Sequence, residues 1–430
     1  MRTIIRRTYS VCPVCLKRIP AVHAAYGKTV CLEKTCPQHG QFSAVIWRGL
    51  RDLDAWRGNL PEIAEGENEN CPHACGLCPE HRQGSCCVLL EVTKRCNLNC
   101  AFCFAGGGNG EDIPFATVRR HLHDLADPGK TLVQLSGGEP TVRDDLPRIV
   151  AAAKEAGCRY VQLNTNGIRL AGDREYVRDL AAAGLSFVFM QFDGTDDNIY
   201  RTLRGRSLFS IKKQAIENCA QYNLGVTLVP TIVPHVNTAE IGNIIRFAVG
   251  HSPAVRGVHF QPVSYFGRFP SLPSDSSRFT LDELLAAIEE QAGTLVPGNS
   301  LQPSRCDHSL CGFHGDYLVM QDQTLYPLHK NRSNCCETVT AEQNRAFVAR
   351  RWQRPEPEEA TASGTSRAED DIETLEGFLR RVRSHSFTVT AMAFQDAGNL
   401  DLERLRSCSL HVFAGGRFIP FCAYYLTKQV

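Results

Sequence analysis

The sequence lacks any apolar run long enough to span a bilayer, and the arginines of residues 1–10 are followed by no apolar stretch of the secretory kind. It also lacks an excess of charge of either sign. Its 47 basic and 46 acidic side chains leave a net charge of +1, which gives no electrostatic signature of a nucleic-acid or anionic-membrane binder. These absences predict a soluble, cytoplasmic protein with no nucleic-acid partner. Against them stand 20 cysteines among 430 residues. A secreted disulfide framework needs export, and no export signal is present, so cysteines clustered at gaps of two and three residues read as metal ligands that make the protein oxygen-sensitive. The length allows two or three domains and a sizeable core.

Three stretches carry the metal chemistry. The first holds Cys12 and Cys15, then Cys36 and His39: two knuckles at the spacing of a tetrahedral site for zinc or a rubredoxin-like mononuclear iron, with Cys31 an alternative fourth ligand to His39. Residues 40–63, with Trp47 and Trp56, read as a strand and helix packing this knuckle onto the rest. After an acidic linker over 62–70 come Cys71, Cys75 and Cys78, with Cys86 and Cys87 close behind. Three thiolates plus Cys86 would fully ligate an auxiliary 4Fe-4S cluster, Cys87 instead opening the next strand. The third stretch is Cys96, Cys100 and Cys103, a triad at Cys-x-x-x-Cys-x-x-Cys spacing directly after the apolar run 88–92. Three ligands from one loop leave the fourth iron of a 4Fe-4S cube open to a small molecule. A zinc knuckle or an ordinary ferredoxin loop is the competing reading.

From residue 87 the chain alternates strand-like and helix-period segments. Strands are expected at 87–94, 131–135, 160–164, 187–192, 226–233 and 257–263, and helices at 115–126, 146–156, 174–183, 211–222 and 239–249, with Asp173 and Thr238 as N-caps. Six such units predict an α/β fold, a partial (β/α)6 TIM-like barrel with its chemistry at the C-terminal strand ends. The polar motifs fall at those ends. Gly137, Gly138 and Glu139 follow the second strand; the glycines admit a ligand to the backbone, and Glu139 offers a carboxylate to an ammonium group. Asn164 and Asn166 end the third strand, Gln191 and Asp193 the fourth, and each pair is otherwise explained by turn chemistry. Residues 201–206 read as a basic loop able to receive an anion, and Gln261, Ser264 and Arg268 as further lining. Cys306, Cys311, Cys408 and Cys422 could hold a second auxiliary 4Fe-4S cluster, with Cys335 and Cys336 as alternatives. Residues 354–371 read as a flexible polar insertion. Cys158 and Cys219 read as packed thiols.

The triad, with Cys78-Pro-Glu-His81, Glu91-Val-Thr-Lys-Arg-Cys96-Asn97, Ser136-Gly-Gly-Glu-Pro140, Gln191-Phe-Asp-Gly194 and Ile419-Pro-Phe-Cys-Ala-Tyr424, resembles the radical S-adenosylmethionine (SAM) superfamily. Within it, the order of motifs is similar to the tetraether lipid synthases and the methanopterin-methylating enzymes. The resemblance implies a SAM site formed by Phe102, Gly137, Gly138, Glu139, Asn164, Asn166, Gln191 and Asp193 beside the open cluster. It also implies auxiliary clusters and an N-terminal mononuclear metal. The division that follows is 1–66 for that metal, 67–86 for the first auxiliary cluster, 87–295 for the barrel and 296–430 for a C-terminal iron-sulfur domain. Tyr425 stands where the family usually has Asn, which leaves the substrate open.

The function implied is reductive cleavage of SAM to a 5′-deoxyadenosyl radical that takes hydrogen from an unactivated C–H. Carbon–carbon bond formation on a lipid-like substrate, with a peripheral membrane contact, is the first expectation, and methylation of a pterin-like small molecule the alternative. A flavodoxin, ferredoxin or reductase would donate the electron. A peptide-modifying enzyme and a non-catalytic iron-sulfur electron carrier are the remaining readings; the carrier has no use for Gly137-Gly138-Glu139.

Overall fold

The computed structural model describes residues 1–58, 71–73, 75–76, 78, 80–297, 299–304, 306–328, 339–355 and 374–428. The linker expected over 62–70, Cys335, Cys336 and all but the first two residues of the expected insertion 354–371 lie outside the described residues. The chain opens with a four-stranded antiparallel meander, β1 (Arg2–Val11), β2 (Arg18–Tyr26), β3 (Thr29–Cys36) and β4 (Gly40–Trp47), paired in chain order. In an up-and-down meander the first and third turns share one end, so the knuckle after β1 and the knuckle after β3 come together. A single-turn helix, Leu53–Arg57, follows, with Asp52 accepting hydrogen bonds from the amides of Asp54 and Ala55. Its Trp56 ring lies 6.3 Å from that of Trp47.

The remaining strands are β5 (Cys87–Arg95), β6 (Asn109–Asp112), β7 (Leu132–Gly137), β8 (Tyr160–Thr165), β9 (Phe187–Gln191), β10 (Gly225–Val229), β11 (Thr231–Ile232), β12 (Val255–Pro262), β13 (Gln302–Pro303), β14 (Gly312–Val319), β15 (Leu325–Pro327), β16 (Ser386–Met392), β17 (Leu410–Ala414) and β18 (Arg417–Pro420). They form one sheet. Its parallel part runs β17, β5, β7, β8, β9, β10, β12, β16. Antiparallel strands flank both sides, and the hydrogen-bonded path from β13 to β18 does not close. The fold is thus the expected partial barrel. Residues 296–430, expected as a domain of their own, contribute strands to both edges of this sheet: β16 beside β12, and β17 beside β5.

Helices Phe115–Leu125, Leu146–Glu155, Arg174–Ala182, Phe209–Gln221 and Ile241–Gly250 begin and end within two residues of their expected bounds. Asp173 caps as expected, accepting from the Tyr176 amide at 2.9 Å. Thr238 does not. It sits in a 3-10 turn, Thr238–Glu240, ahead of the helix at Ile241. The basic stretch 201–206 is not a loop: helix Asp197–Arg204 runs into it, started by Asp196 and stopped by Gly205 at φ +81°.

Side-chain alternation along the strands sorts two environments. Val133, Leu135, Val161, Leu163, Val188 and Met190 are buried in the main apolar core with the outer helices. Gln134, Gln162, Asn164, Phe189, Gln191 and His259 instead line the barrel interior. At the N-terminal end of the strands, helix Ala341–Trp352 packs against β10, β12 and β16. Trp352 stands edge-on to Phe187, with ring centroids 5.7 Å apart, and plugs that mouth.

Candidate active site

The strand ends opposite the plug open into a cavity of about 460 Å3 whose lining includes Cys96, Cys100 and Cys103. The loop that carries them leaves β5 at Arg95 and is held along its length. The Cys96 amide donates to Gly108 O at 2.9 Å, and the Ala101 amide to Leu203 O at 3.0 Å. Cys103 and Arg268 exchange backbone hydrogen bonds at 2.9 Å in each direction, and Arg268 Nε donates to Cys100 O at 2.8 Å. Gly267, at φ +70°, makes the approach feasible, because a Cβ there would sit 2.2 Å from Cys103 O. Arg268 therefore serves the loop backbone. Burial pushes the Cys96 thiol up to about 11, so this site holds a thiolate only beside a cation. Three half-buried thiols on one loop, facing a cavity, fit the ligand set of a cluster with one open iron.

Gly137 and Gly138 are required first by the strand next to them. A Cβ on Gly137 would lie 2.2 Å from Thr93 O, and one on Gly138 2.1 Å from Arg95 O. The pair lets the Gly138 and Glu139 amides donate to those same carbonyls, at 2.9 and 2.8 Å, bringing the second strand end against the root of the cysteine loop. Glu139 is almost wholly buried. Its Oε1 accepts from the Thr141 amide and from the hydroxyls of Thr141 and Thr165, while Oε2 accepts from the Asn166 amide at 2.6 Å. One lone pair of Oε2 remains for an ammonium donor.

Asn164 Nδ2 donates to Ser136 Oγ at 3.3 Å, leaving its carbonyl toward the cavity. Asn166 Nδ2 donates to Asn97 Oδ1 at 2.7 Å, tying the end of β8 to the cysteine loop. Gln191 lines the cavity as expected, but its amide is already engaged: Oε1 accepts from Lys212 Nζ at 2.9 Å and Nε2 contacts Asp193. Asp193 does not line the cavity. Fully buried, it forms a bidentate pair with Arg204, both N–O distances 2.7 Å, and it is Arg204 that reaches the cavity wall beside Cys100. Burial opposes the Arg204 charge, and the Asp193 carboxylate outweighs it, raising the pKa above the ordinary value. Burial pulls Lys212 down to about 7. Phe102 lines the cavity with its ring 6.1 Å from that of Tyr265.

Deeper in the cavity lie residues the sequence reading did not single out: Gln134, Gln162, Phe189, His259, Thr390 and Trp352. His259 Nδ1 pairs with Thr390 Oγ1 at 2.8 Å, and burial pulls the imidazole down to about 4, so it stays neutral at physiological pH. Phe189 lies 5.1 Å from His259 and 4.9 Å from Trp352 between ring centroids. A signal was available: Gln134-Leu-Ser136 and Gln162-Leu-Asn164 repeat polar residues at every second position of otherwise apolar strands.

The other thiols fall into separate groups. Cys12, Cys15, Cys36 and His39 present ligand atoms all within 4.8 Å of one another, a donor set and spacing that fit a single tetrahedral ion. His39 Nδ1 stands 3.5 Å from Cys12 Sγ and 3.4 Å from Cys36 Sγ, whereas Cys31 is not part of the group. Cys71 and Cys75 are in hydrogen-bonding reach, with Cys78 in their field. Cys86 packs and hydrogen-bonds against Cys306, in an apolar group separate from that of Cys71 and Cys75. The cause is backbone pairing, because the Cys86 amide donates to Ser409 O at 2.8 Å as β5 aligns with β17. Cys311, Cys408 and Cys422 lie in one another's field, and Arg404 Nε donates to Cys311 Sγ at 3.5 Å. Cys158 and Cys219 are buried in the apolar core, as expected of packed thiols.

Residues 90–248 match the model of the radical SAM superfamily, and residues 4–48 that of the HMPTM N-terminal zinc ribbon domain. The chain is 31% identical to the 7,8-dihydro-6-hydroxymethylpterin dimethyltransferase of Methanocaldococcus jannaschii, an alignment covering 97% of this chain and 93% of that one. It is 36% identical to the Fe-coproporphyrin III synthase of Methanosarcina barkeri over 47% of this chain and 49% of the other. Among solved structures, Streptococcus suis SuiB bound to S-adenosylmethionine overlaps 50% of this chain and 49% of its own at 15% identity and a TM-score of 0.38. No helix among the described residues is long and apolar enough to cross a membrane. With a 31% identical relative matched over 97% of the chain and the family model matched across the cysteine loop and the first barrel strands, the chain belongs to the radical SAM superfamily and is an enzyme of that kind.

Proposed function

We propose that the enzyme methylates a pterin-like heterocycle. The observation that carries this reading is the cavity wall, where Gln134, Gln162, Asn164, His259 and Gln261 turn amide and imidazole groups inward above a floor closed by Trp352. An unpaired buried polar group costs about 1–3 kcal/mol, so such a wall favours a ligand with many hydrogen-bonding edges. A lipid chain would leave these groups unpaired, and helix Ala341–Trp352 stands across the N-terminal mouth of the barrel. The named activity of the Methanocaldococcus jannaschii relative supports the same class of substrate.

In this reading Cys96, Cys100 and Cys103 would hold the 4Fe-4S cluster, and Glu139 Oε2, Asn164, Asn166 and Phe102 would hold SAM, with Gln191, its amide engaged by Lys212 and Asp193, shaping the wall beside them. Asp193 acts one layer behind, by fixing Arg204. When bound, the cluster and SAM would supply the one-electron chemistry that removes hydrogen from a C–H bond, and a second SAM, with a second electron, would supply the methyl group that replaces it, leaving S-adenosylhomocysteine. The protein's own contribution is enclosure: the plug, the aromatic floor and the anchored loop keep water from the reacting groups. Cys12, Cys15, Cys36 and His39 hold zinc in residues 1–66. Cys71, Cys75 and Cys78 would belong to one auxiliary cluster, and Cys306, Cys311, Cys408 and Cys422 to another, with Cys86 packed beside Cys306. A flavodoxin- or ferredoxin-type protein donates the electron.

The test is anaerobic incubation of the reconstituted enzyme with SAM, dithionite and 7,8-dihydro-6-hydroxymethylpterin, followed by mass spectrometry. Methylene-sized mass increments on the pterin, together with 5′-deoxyadenosine, are expected, both lost in Cys100→Ala. An unchanged pterin alongside coupled chains in a lipid extract would overturn the reading.

A further inference from the structure

The floor of the cavity holds two side chains whose hydrogen bonding is half complete. Gln134 on β7 and Gln162 on β8 are register partners in the parallel pair, so their side chains emerge side by side into the barrel. Gln162 Nε2 donates to Gln134 Oε1 at 3.2 Å, and Cys87 Sγ donates to the same oxygen at 3.9 Å. With that oxygen accepting, Gln134 turns its Nε2 hydrogens away from the pair, and Gln162 turns Oε1 away. Neither Gln134 Nε2 nor Gln162 Oε1 has a partner among the described residues. Both residues line the cavity, and Gln162 is only 2% exposed. The result is one donor beside one acceptor, fixed by the sheet register. Rotating both amides by half a turn would exchange the roles and leave the same pattern.

Phe189, on the neighbouring strand β9, lines the same cavity and is in ring contact with His259 and Trp352. His259 adds a neutral edge: its Nδ1 is held by Thr390, and its Nε2 has no partner among the described residues. A planar ligand in this cavity therefore meets both aromatic surface and a donor–acceptor pair.

We propose that Gln134 and Gln162 form a lactam reader, which binds the –NH–C(=O)– edge of a planar heterocycle through one donated and one accepted hydrogen bond. The ligand's carbonyl receives the Gln134 N–H, and its ring N–H donates to the Gln162 carbonyl. This rests on the proposed function and specifies how the cavity would choose its substrate. Because the two amides lie near the plug and not among the cysteine loop and Glu139, they discriminate substrate without holding SAM.

The experiment measures anaerobic binding of a reduced pterin, of guanosine as a second lactam heterocycle, and of SAM. It compares the reconstituted wild type with Gln134→Leu, Gln162→Leu, the double variant, and the near-isosteric Gln162→Met, with thermal unfolding as the folding control. Loss of pterin affinity by roughly ten- to hundredfold in each single variant, with SAM affinity retained, is the expected result. The double variant should lose little more, because either change breaks the pair. Equal pterin affinity in wild type and folded variants would overturn the reader while leaving the pterin reading intact. Wild-type binding of guanosine but not pterin, lost in the variants, would sink the pterin reading and keep the reader. Binding of neither heterocycle would sink both.

Discussion

Arg268 Nε donates to the Cys100 carbonyl at 2.8 Å while the Arg268 backbone is paired with Cys103, so a single residue holds the cysteine loop at two of its three thiol positions. Arg268→Ala keeps the backbone pair and loses the charge-assisted bond, worth about 1.5–3 kcal/mol. We expect the variant to fold, to bind less iron at the Cys96, Cys100 and Cys103 site after reconstitution, and to lose that cluster's electron paramagnetic resonance signal sooner in air. Wild-type iron content and air stability would show that the guanidinium contributes nothing to the loop.

The bidentate pair of Asp193 and Arg204 predicts an asymmetric pair of outcomes. Asp193→Asn leaves a buried guanidinium with weaker partners and should destabilise the protein by about 3–5 kcal/mol. Replacing both partners, Asp193→Leu with Arg204→Met, should recover part of that stability, because no buried charge remains. Thermal unfolding of the two variants checks it.

His259 gives a pH dependence with a definite sign. Its folded pKa is about 4 against an ordinary 6.5, so the unfolded chain takes up a proton that the folded chain refuses. Its contribution is fully present above about pH 6.5 and is lost as pH falls toward 4, by up to about 1.4 kcal/mol per pH unit. In His259→Gln the difference from wild type should therefore shrink or reverse across that window, and stay constant from pH 7 to 8. Unfolding temperatures measured across that range decide it.

The ribbon site predicts a local effect. Cys36→Ala removes one of four ligands whose atoms lie within 4.8 Å of each other, so zinc should be lost while iron is retained by elemental analysis. Amide exchange should then quicken in β1 to β4. The buried pair of His23 Nε2 and Asp401 Oδ2, 2.9 Å apart, ties β2 to the C-terminal segment and should limit the change to the ribbon.

What the sequence disclosed was local. The spacing of Cys96, Cys100 and Cys103, the two knuckles, and the strand–helix alternation from 87 to 263 each depend on neighbours a few residues away. Cys86 illustrates the opposite case. Its closeness to Cys78 in the chain suggested a shared cluster, but the pairing of β5 with β17 brings it to Cys306. Asp193 was placed correctly at a strand end, yet its partner Arg204 is set by a helix that a run of charges concealed. Gln134 and Gln162 are not legible as site residues in the sequence because polar side chains within apolar strands are cavity-facing only once the barrel encloses them.

The placement of β16 beside β12 and of β17 beside β5 has a consequence for synthesis. When the first 300 or so residues have left the ribosome, both edges of the nascent parallel sheet still present unpaired amides and carbonyls, and the cysteine loop adjoins one of them. The edges are sheltered only when the last strands arrive. Until then the chain is vulnerable to edge-to-edge association, so slow delivery of its final segment should raise the demand for chaperones during translation.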